Sequence, residues 1–474
     1  MKRLSVSLLS MALGAIALQA TDWPTYRGDY ARSGVSPDPI AGTVSEAWKW
    51  RSIHPPRPAW QGEAKWDGWN KVYDMKPRQI FDRAFHVVIA ANRVYFGSSS
   101  DDQLHCLDAG TGKELWTFYS EGPIRLAPSI QGERVYFGSD DGCVYCLKAD
   151  TGALVWKTRA TPTDRRIPGN GRLISAWPVR TSVIVQDGKL FTTAGMFPAE
   201  GVHLLALDAA SGSESWRQIQ TDLPAQGYLL ASRSRLYVPA GRDNPAVCDL
   251  QDGKRLRVVE GSGGTYALLT DDLLVFGPGK TGQLGAIEEG HKDQLATFQG
   301  NHMIVTKSRS YLHSDSQLTA LDRARFLELA RERKRLGVEQ GSLGKKLKAL
   351  EKKSGSEAEQ ESLKAQLAVV GKRIDEATQG MDQCQLWRAE SSWPHCLILG
   401  GEMLVAGGKD QVAALRASDG SIAWKRTVQG IAYGLATAGG AVFVSTDQGV
   451  IHCLRAGATQ ASVNPGTPYS EDIR

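Results

Sequence analysis

Short apolar runs separated by Gly- and Asp-rich turns recur along this chain at intervals of roughly 40 residues. One copy, Val135–Trp156, reads as an apolar strand, a Ser-Asp-Asp-Gly turn, a second apolar strand, an Ala-Asp-Thr-Gly turn and a third strand ending in Trp. Its second strand is apolar on both faces, with Val144 and Cys146 pointing one way and Tyr145 and Leu147 the other. Strands of that kind belong to small sheets covered on both sides, the pattern of a β-propeller. Further copies start at Val94, Leu190, Leu236, Leu273, Met303, Met403 and Val442; the fourth lacks its terminal Trp and the fifth is the most degenerate. Trp116, Trp156, Trp216, Trp387 and Trp424 are the structural repeat positions that close the third strands. The eighth copy stops before a third strand, while Ala47-Trp48-Lys49-Trp50 is strand-like and has no partner nearby. The pattern predicts an all-β, eight-bladed β-propeller over 21–456, closed by that N-terminal strand; seven blades is the alternative if the fifth copy is only a loop.

The period changes after Asp322. Leu343, Leu347 and Leu350, then Leu363, Leu367, Val370 and Ile374, recur at three and four residues on either side of Lys353-Ser354-Gly355-Ser356. This predicts an antiparallel α-helical hairpin over 322–383, inserted in the sixth copy before its outermost strand and projecting from the periphery. Residues 51–80, rich in Pro and Trp, read as an ordered loop crossing one face, and 457–474 as a disordered tail.

Composition adds location and removes some functions. Met1-Lys2-Arg3, the apolar run to Leu18 and small residues at Ala17 and Ala20 predict a signal peptide over 1–20, cleaved after Ala17 or Ala20, hence a periplasmic or secreted protein with no membrane span. Of the formal charge of +5, the leader carries two positive charges and 322–378 a net +4, so the remaining body is near neutral and nucleic-acid binding is not expected. Aligned copies put Cys106, Cys146 and Cys453 where others have Ala206, Ala320 and Ala414, a tight spot under the Trp. Cys143 and Cys146 face opposite sides of one strand, so no metal site is assigned to them. Cys384 and Cys396 flank the strand bearing Trp387 and form a candidate disulfide.

The repeat resembles the pyrroloquinoline quinone (PQQ) repeat, Ala-x-Asp-x-x-Thr-Gly-Lys-x-x-Trp, through Cys106-x-Asp108-x-x-Thr111-Gly112-Lys113-x-x-Trp116 and Ala206-x-Asp208-x-x-Ser211-Gly212-x-x-x-Trp216. The resemblance covers about 23–456 and implies a propeller whose Trp docks between blades. It implies two functions. Quinoprotein dehydrogenases in the family hold PQQ and Ca²⁺ in the channel under a disulfide of adjacent cysteines, a pair this sequence lacks. The outer-membrane assembly propeller is a binding scaffold with no cofactor.

The leading expectation is therefore an exported, non-catalytic scaffold that binds a protein or envelope component through a propeller face or the helical arm, with no cofactor and no catalytic residue assigned. The alternative is a PQQ-dependent dehydrogenase. Its candidate ligand-facing residues are Arg165, Arg166, Arg172, Trp177 and Arg180, in the longest gap between repeat tryptophans, together with Arg125. Arginines beside a Trp suit an acidic planar ligand because one supplies charge and the other a stacking face. Asp101-Asp102 and Asp140-Asp141 read as hairpin-turn residues.

Overall fold

The computed structural model describes residues 21–60, 66–68, 71–73, 75, 80–169, 171–241, 243–261, 263–264, 266–279, 282–288, 291, 293–352, 356–459 and 461–466. The expected leader lies outside them. Six four-stranded antiparallel sheets follow one another in chain order, spanning 88–119, 129–159, 184–220, 230–258, 266–299 and 302–390. Apart from two two-stranded ribbons, Trp66–Asp67 with Val72–Tyr73 and Arg166–Gly169 with Arg172–Ser175, a nine-stranded sheet takes the rest, and its 17-residue strand Ile422–Ala438 pairs with Lys409–Arg416 on one side and Ala441–Thr446 on the other. The architecture is that of a β-propeller.

Each sheet packs on the next through the apolar faces seen in the sequence. Tyr95, Leu104 and Cys106 of the first meet Val135, Phe137 and Tyr145 of the second. The last seam joins Phe443 and Trp48 to Val94 and Phe96 of the first sheet. Full burial of one such side chain contributes roughly 1.5–3 kcal/mol, so stability is spread over all the seams.

The N-terminal strand Ser45–Arg51 pairs antiparallel with Val450–Arg455, placing Trp48 opposite Cys453. That is the register in which Trp116 faces Cys106, Trp156 faces Cys146, Trp216 faces Ala206, Trp387 faces Ala320 and Trp424 faces Ala414. Each indole then reaches the adjacent sheet. Trp48 Nε1 donates to the Ala109 carbonyl at 3.0 Å, and Trp116, Trp156, Trp387 and Trp424 make equivalent bonds to Ala149, Ala209, Ala417 and Ala41. Trp216 Nε1 has no acceptor; the turn it meets carries Leu250 where the others carry Ala. The turn aspartates act locally: Asp108 Oδ1 accepts from the backbone N and the hydroxyl of Thr111.

The helices are α1, Arg323–Leu350, and α2, Glu357–Asp382, inserted between Gln317–Asp322 and Gln385–Glu390, which pair with each other. At 1.5 Å per residue α1 is about 42 Å long. The hairpin does not simply project. Its base lies against the neighbouring fifth sheet, where Leu327, Ala330 and Met381 cover Leu273 and Leu295. Arg323 and Arg331 pair there with Asp272, and Arg331 also with Glu288. Only the distal half, around Leu336, Leu343, Leu363 and Val370, is held by the hairpin alone.

Two expectations change. Ser462–Pro465, in the stretch read as a disordered tail, is a strand parallel to Trp48–Arg51, because Ser45–Arg51, paired on its other side with Val450–Arg455, would otherwise present an open edge. Cys384 and Cys396 are free thiols: Cys384 Sγ donates to the Gly380 carbonyl and Cys396 Sγ to that of Ala432.

Candidate functional site

Contacts between sheets that are not neighbours locate the axis of the propeller. The Tyr228 hydroxyl of the fourth sheet accepts from the backbone N of Ala127 before the second, at 3.0 Å. Arg27 reaches both the Leu397 carbonyl and Tyr266.

The segment Trp23–Ser36 follows the inner strands around this axis. It meets Ile89, Ile130, Ala231, Leu269 and Leu399 in turn by backbone hydrogen bonds. Its own side chains fill the middle. Tyr26 stacks on Tyr228 with ring centroids 3.5 Å apart, and His86 stands edge-on to Tyr26 at 5.0 Å. Arg32 is buried and donates to the carbonyls of Leu229 and Tyr26 and the hydroxyls of Thr25 and Ser182. Among the described residues, Arg27 and Arg32 are thus held by carbonyls and hydroxyls, not by carboxylates. Such a cation keeps its charge uncompensated in a poor solvent. Burial accordingly pulls Arg32 down to about 10.

At or just before the start of each inner strand stands a polar or aromatic residue: His86, Arg125, Arg180, Tyr228, Tyr266, His302, His395 and, within the long strand, Tyr433. Burial pushes the His86 imidazole down to about 4, and His302 also falls well below its usual value, so both are neutral. His86 Nε2 and His302 Nδ1 are buried without partners. Arg83 lies over the Tyr433 ring and donates to its hydroxyl.

The most concentrated chemistry is a buried tetrad. Arg125 Nε donates to Asp140 Oδ2 at 2.6 Å and Nη1 to Asp82 Oδ2 at 3.0 Å. Arg180 holds Asp140 through Nε and Nη2, both at 3.1 Å. Burial raises Asp82 above its ordinary value, and Arg125 offsets this only in part. Burial also acts on Asp140, but Arg180 and Arg125 outweigh it and hold that carboxyl below its usual range. Asp82 Oδ2 also accepts from Ala59 N, whereas Asp82 Oδ1 is buried and unpartnered. Residues 57–60 cross above: the Arg57 carbonyl accepts from Arg125, and Trp60 Nε1 donates to Gln226. Of the loop expected over 51–80, residues 57–60 lie against the tetrad in this way.

Of the predicted ligand-facing residues, the structure brings only Arg125 and Arg180 to the axis. Arg165 pairs with Glu200, Arg166 with Glu121 and Asp164, and Arg172 with Asp102. Trp177 is buried between the second and third sheets, Nε1 donating to the Glu200 carbonyl. These four lie away from the axis, engaged by local acids and core packing, and Arg165 also stands over the Trp177 ring at 4.8 Å. Asp82, His86, Tyr228 and His302 were missed. Aligning copies on the register of the first hairpin, where Val88 faces Tyr95, Leu230 Tyr237, Leu268 Val275 and Ile304 Tyr311, puts His86, Tyr228, Tyr266 and His302 in one column. Asp140 is more than a turn residue.

Among the described residues no helix is long and apolar enough to cross a membrane, and no three His, Cys, Asp or Glu converge as a metal site. The family described as outer membrane protein assembly factor BamB matches residues 50–194, 140–325 and 344–457. A polyvinylalcohol dehydrogenase of Sphingopyxis sp. is 28% identical over 141 residues, covering 29% of this chain and 20% of the relative. A quinoprotein ethanol dehydrogenase of Pseudomonas aeruginosa is 30% identical over 143 residues, 27% of this chain and 22% of its own. The chain therefore matches about a fifth of the length of these relatives. Among solved structures, the quinohemoprotein alcohol dehydrogenase from Comamonas testosteroni superposes with TM-score 0.61 at 12% identity, over 94% of this chain and 82% of that one. The expectation of a cofactor-free, non-catalytic scaffold is overturned by these relatives, whose names are those of dehydrogenases.

Proposed function

This chain belongs to the repeat family described as outer membrane protein assembly factor BamB, and from that premise we propose that it is a quinoprotein-type oxidoreductase that oxidises an alcohol in the propeller channel. The reading counts eight blades, the nine-stranded sheet forming two that meet along Ile422–Ala438, with Ser45–Arg51 closing the ring. It also takes 1–20 as an export leader.

One observation carries it: a buried, unpartnered carboxylate oxygen, Asp82 Oδ1, set among arginines at the axis. PQQ is a planar, polycarboxylated quinone, and the donor set fits it. Arg27, Arg32, Arg83, Arg125 and Arg180 stand against the carboxylates Asp82 and Asp140, so positive charge is in excess among the described axial residues. Arg83, beside Tyr433, would meet a carboxylate, while Arg27 and Arg32, whose donors are spent on protein carbonyls and hydroxyls, would add only their charge. Calcium does not fit in the same way. Its ligand sets need six to eight oxygens, and both axial carboxylates are already bridged by Arg125.

When bound, the quinone supplies the two-electron acceptor. The protein's part is to place the alcohol and take its proton. An alcohol hydroxyl at Asp82 Oδ1 donates its hydrogen bond there, and Asp82 accepts the proton as general base. Arg125 favours the ionised form of that carboxylate, offsetting part of the effect of burial. Neutral His86 and His302 offer hydrogen-bonding atoms without competing for the proton. The 51–60 segment, through Trp60 and Ala59, limits water above the site.

Titration of the purified protein with PQQ, followed by absorbance and by alcohol-dependent dye reduction, tests the reading. Saturable binding and turnover are expected; no binding at micromolar PQQ overturns it.

A further inference from the structure

We infer that Arg125 is a built-in cation that occupies, between Asp82 and Asp140, the place a divalent ion would otherwise take, so that the channel works without a metal. The catalytic consequence rests on the reading of the channel as a quinone site; the electrostatic claim does not.

Two carboxylates within reach of one guanidinium lie buried, Asp82 at 1% and Asp140 at 0% exposure. Brought that close in a poor solvent, they cannot both ionise unless a cation sits between them. Arg125 is that cation, bonded to both. Arg180 balances the second charge, so the tetrad is neutral as built. Three of the four carboxylate oxygens are engaged by donors, Asp82 Oδ2 and both oxygens of Asp140; only Asp82 Oδ1 is left over. A hard divalent ion would need several of those oxygens at once. A guanidinium tethered to the backbone cannot be removed by a chelator. It also bonds the Arg57 carbonyl, tying the crossing segment to the charge it covers.

Arg125 is therefore a positioning residue, and its removal should create what it replaces. In Arg125→Ala, Asp82 and Asp140 face a vacancy lined by carboxylate oxygens. Three full-length proteins, wild type, Arg125→Ala and Arg125→Lys, would be compared for melting temperature in millimolar calcium and in EDTA, and for sensitised terbium luminescence. PQQ affinity would be measured in both buffers.

Wild type and Arg125→Lys should show less than a twofold change in PQQ affinity, no melting shift between buffers and no terbium signal. Arg125→Ala should melt lower in EDTA, recover stability in calcium and acquire terbium luminescence. A calcium-dependent melting shift or saturable terbium binding in the wild type overturns the inference. So does a folded Arg125→Ala, checked by circular dichroism, that ignores calcium. Should Arg125→Ala not fold, the wild-type and lysine proteins decide. Failure of PQQ to bind in either buffer removes the enzyme reading and leaves the melting and terbium results to judge the cation.

Discussion

The indole of Trp116 lies directly on Gly152 of the next sheet: a Cβ added to that glycine would stand 2.6 Å from Trp116 Cε3. Gly152 has φ +70°, in the left-handed region, so the turn and the docking both require glycine. Trp48 on Gly112, Trp156 on Gly212, Trp216 on Gly253 and Trp387 on Gly420 repeat the arrangement.

Gly152→Ala is expected to destabilise the protein by about 2–4 kcal/mol, combining backbone strain with overpacking against the indole. Gly132→Ala separates the two effects. Its φ is +58°, but nothing lies within 4 Å of the added carbon, so only the strain of about 1–2 kcal/mol should appear. Equal losses in urea melts of the two variants would show that the Trp contact contributes nothing.

Asp82→Asn keeps the shape of the side chain and removes its basicity. Alcohol-dependent turnover should fall roughly 10²–10⁴-fold, with PQQ binding retained. Because burial raises the Asp82 pKa, the acid limb of kcat/KM should lie above the ordinary carboxylate value of 3.8. Unchanged turnover in the variant would remove Asp82 from the reaction.

His105 of the first sheet is clamped between carboxylates, Nδ1 2.9 Å from Glu114 and Nε2 3.3 Å from Asp101. Burial lowers its pKa, but the two carboxylates outweigh it and raise the imidazole above 6.5. A raised folded-state pKa means stability that is fully present below 6.5 and lost as pH rises through the folded value. His105→Gln should therefore cost about 1–2 kcal/mol at acidic pH and progressively less toward alkaline pH. Denaturation curves at several pH values check this, and a loss that grows with pH would contradict it.

The repeat was legible because its chemistry is local. An Asp that binds the Thr three residues on, a Gly at positive φ and a Trp on the following strand all lie within one copy, and copy-to-copy comparison separates Cys146 as an alanine substitute from Cys146 as a ligand. The hairpin was legible for the same reason, in the spacing of Leu343, Leu347 and Leu350. Its seating on Leu273 and Leu295 was not, since nothing in either segment names the other.

The sequence by itself determined the sheets, their turns and the tryptophan register, because periodicity and turn propensity act between residues close in the chain. Tertiary structure alone decided the axis. Arg32, Asp82, Arg125, Asp140, Arg180 and Tyr228 come from the N-terminal segment and several successive copies, and only Arg125 and Arg180 stood out in the sequence. Their charges acquire meaning only when the ring brings them together and burial removes the water that would otherwise screen them, leaving Asp82 Oδ1 without a partner and Arg125 between two carboxylates.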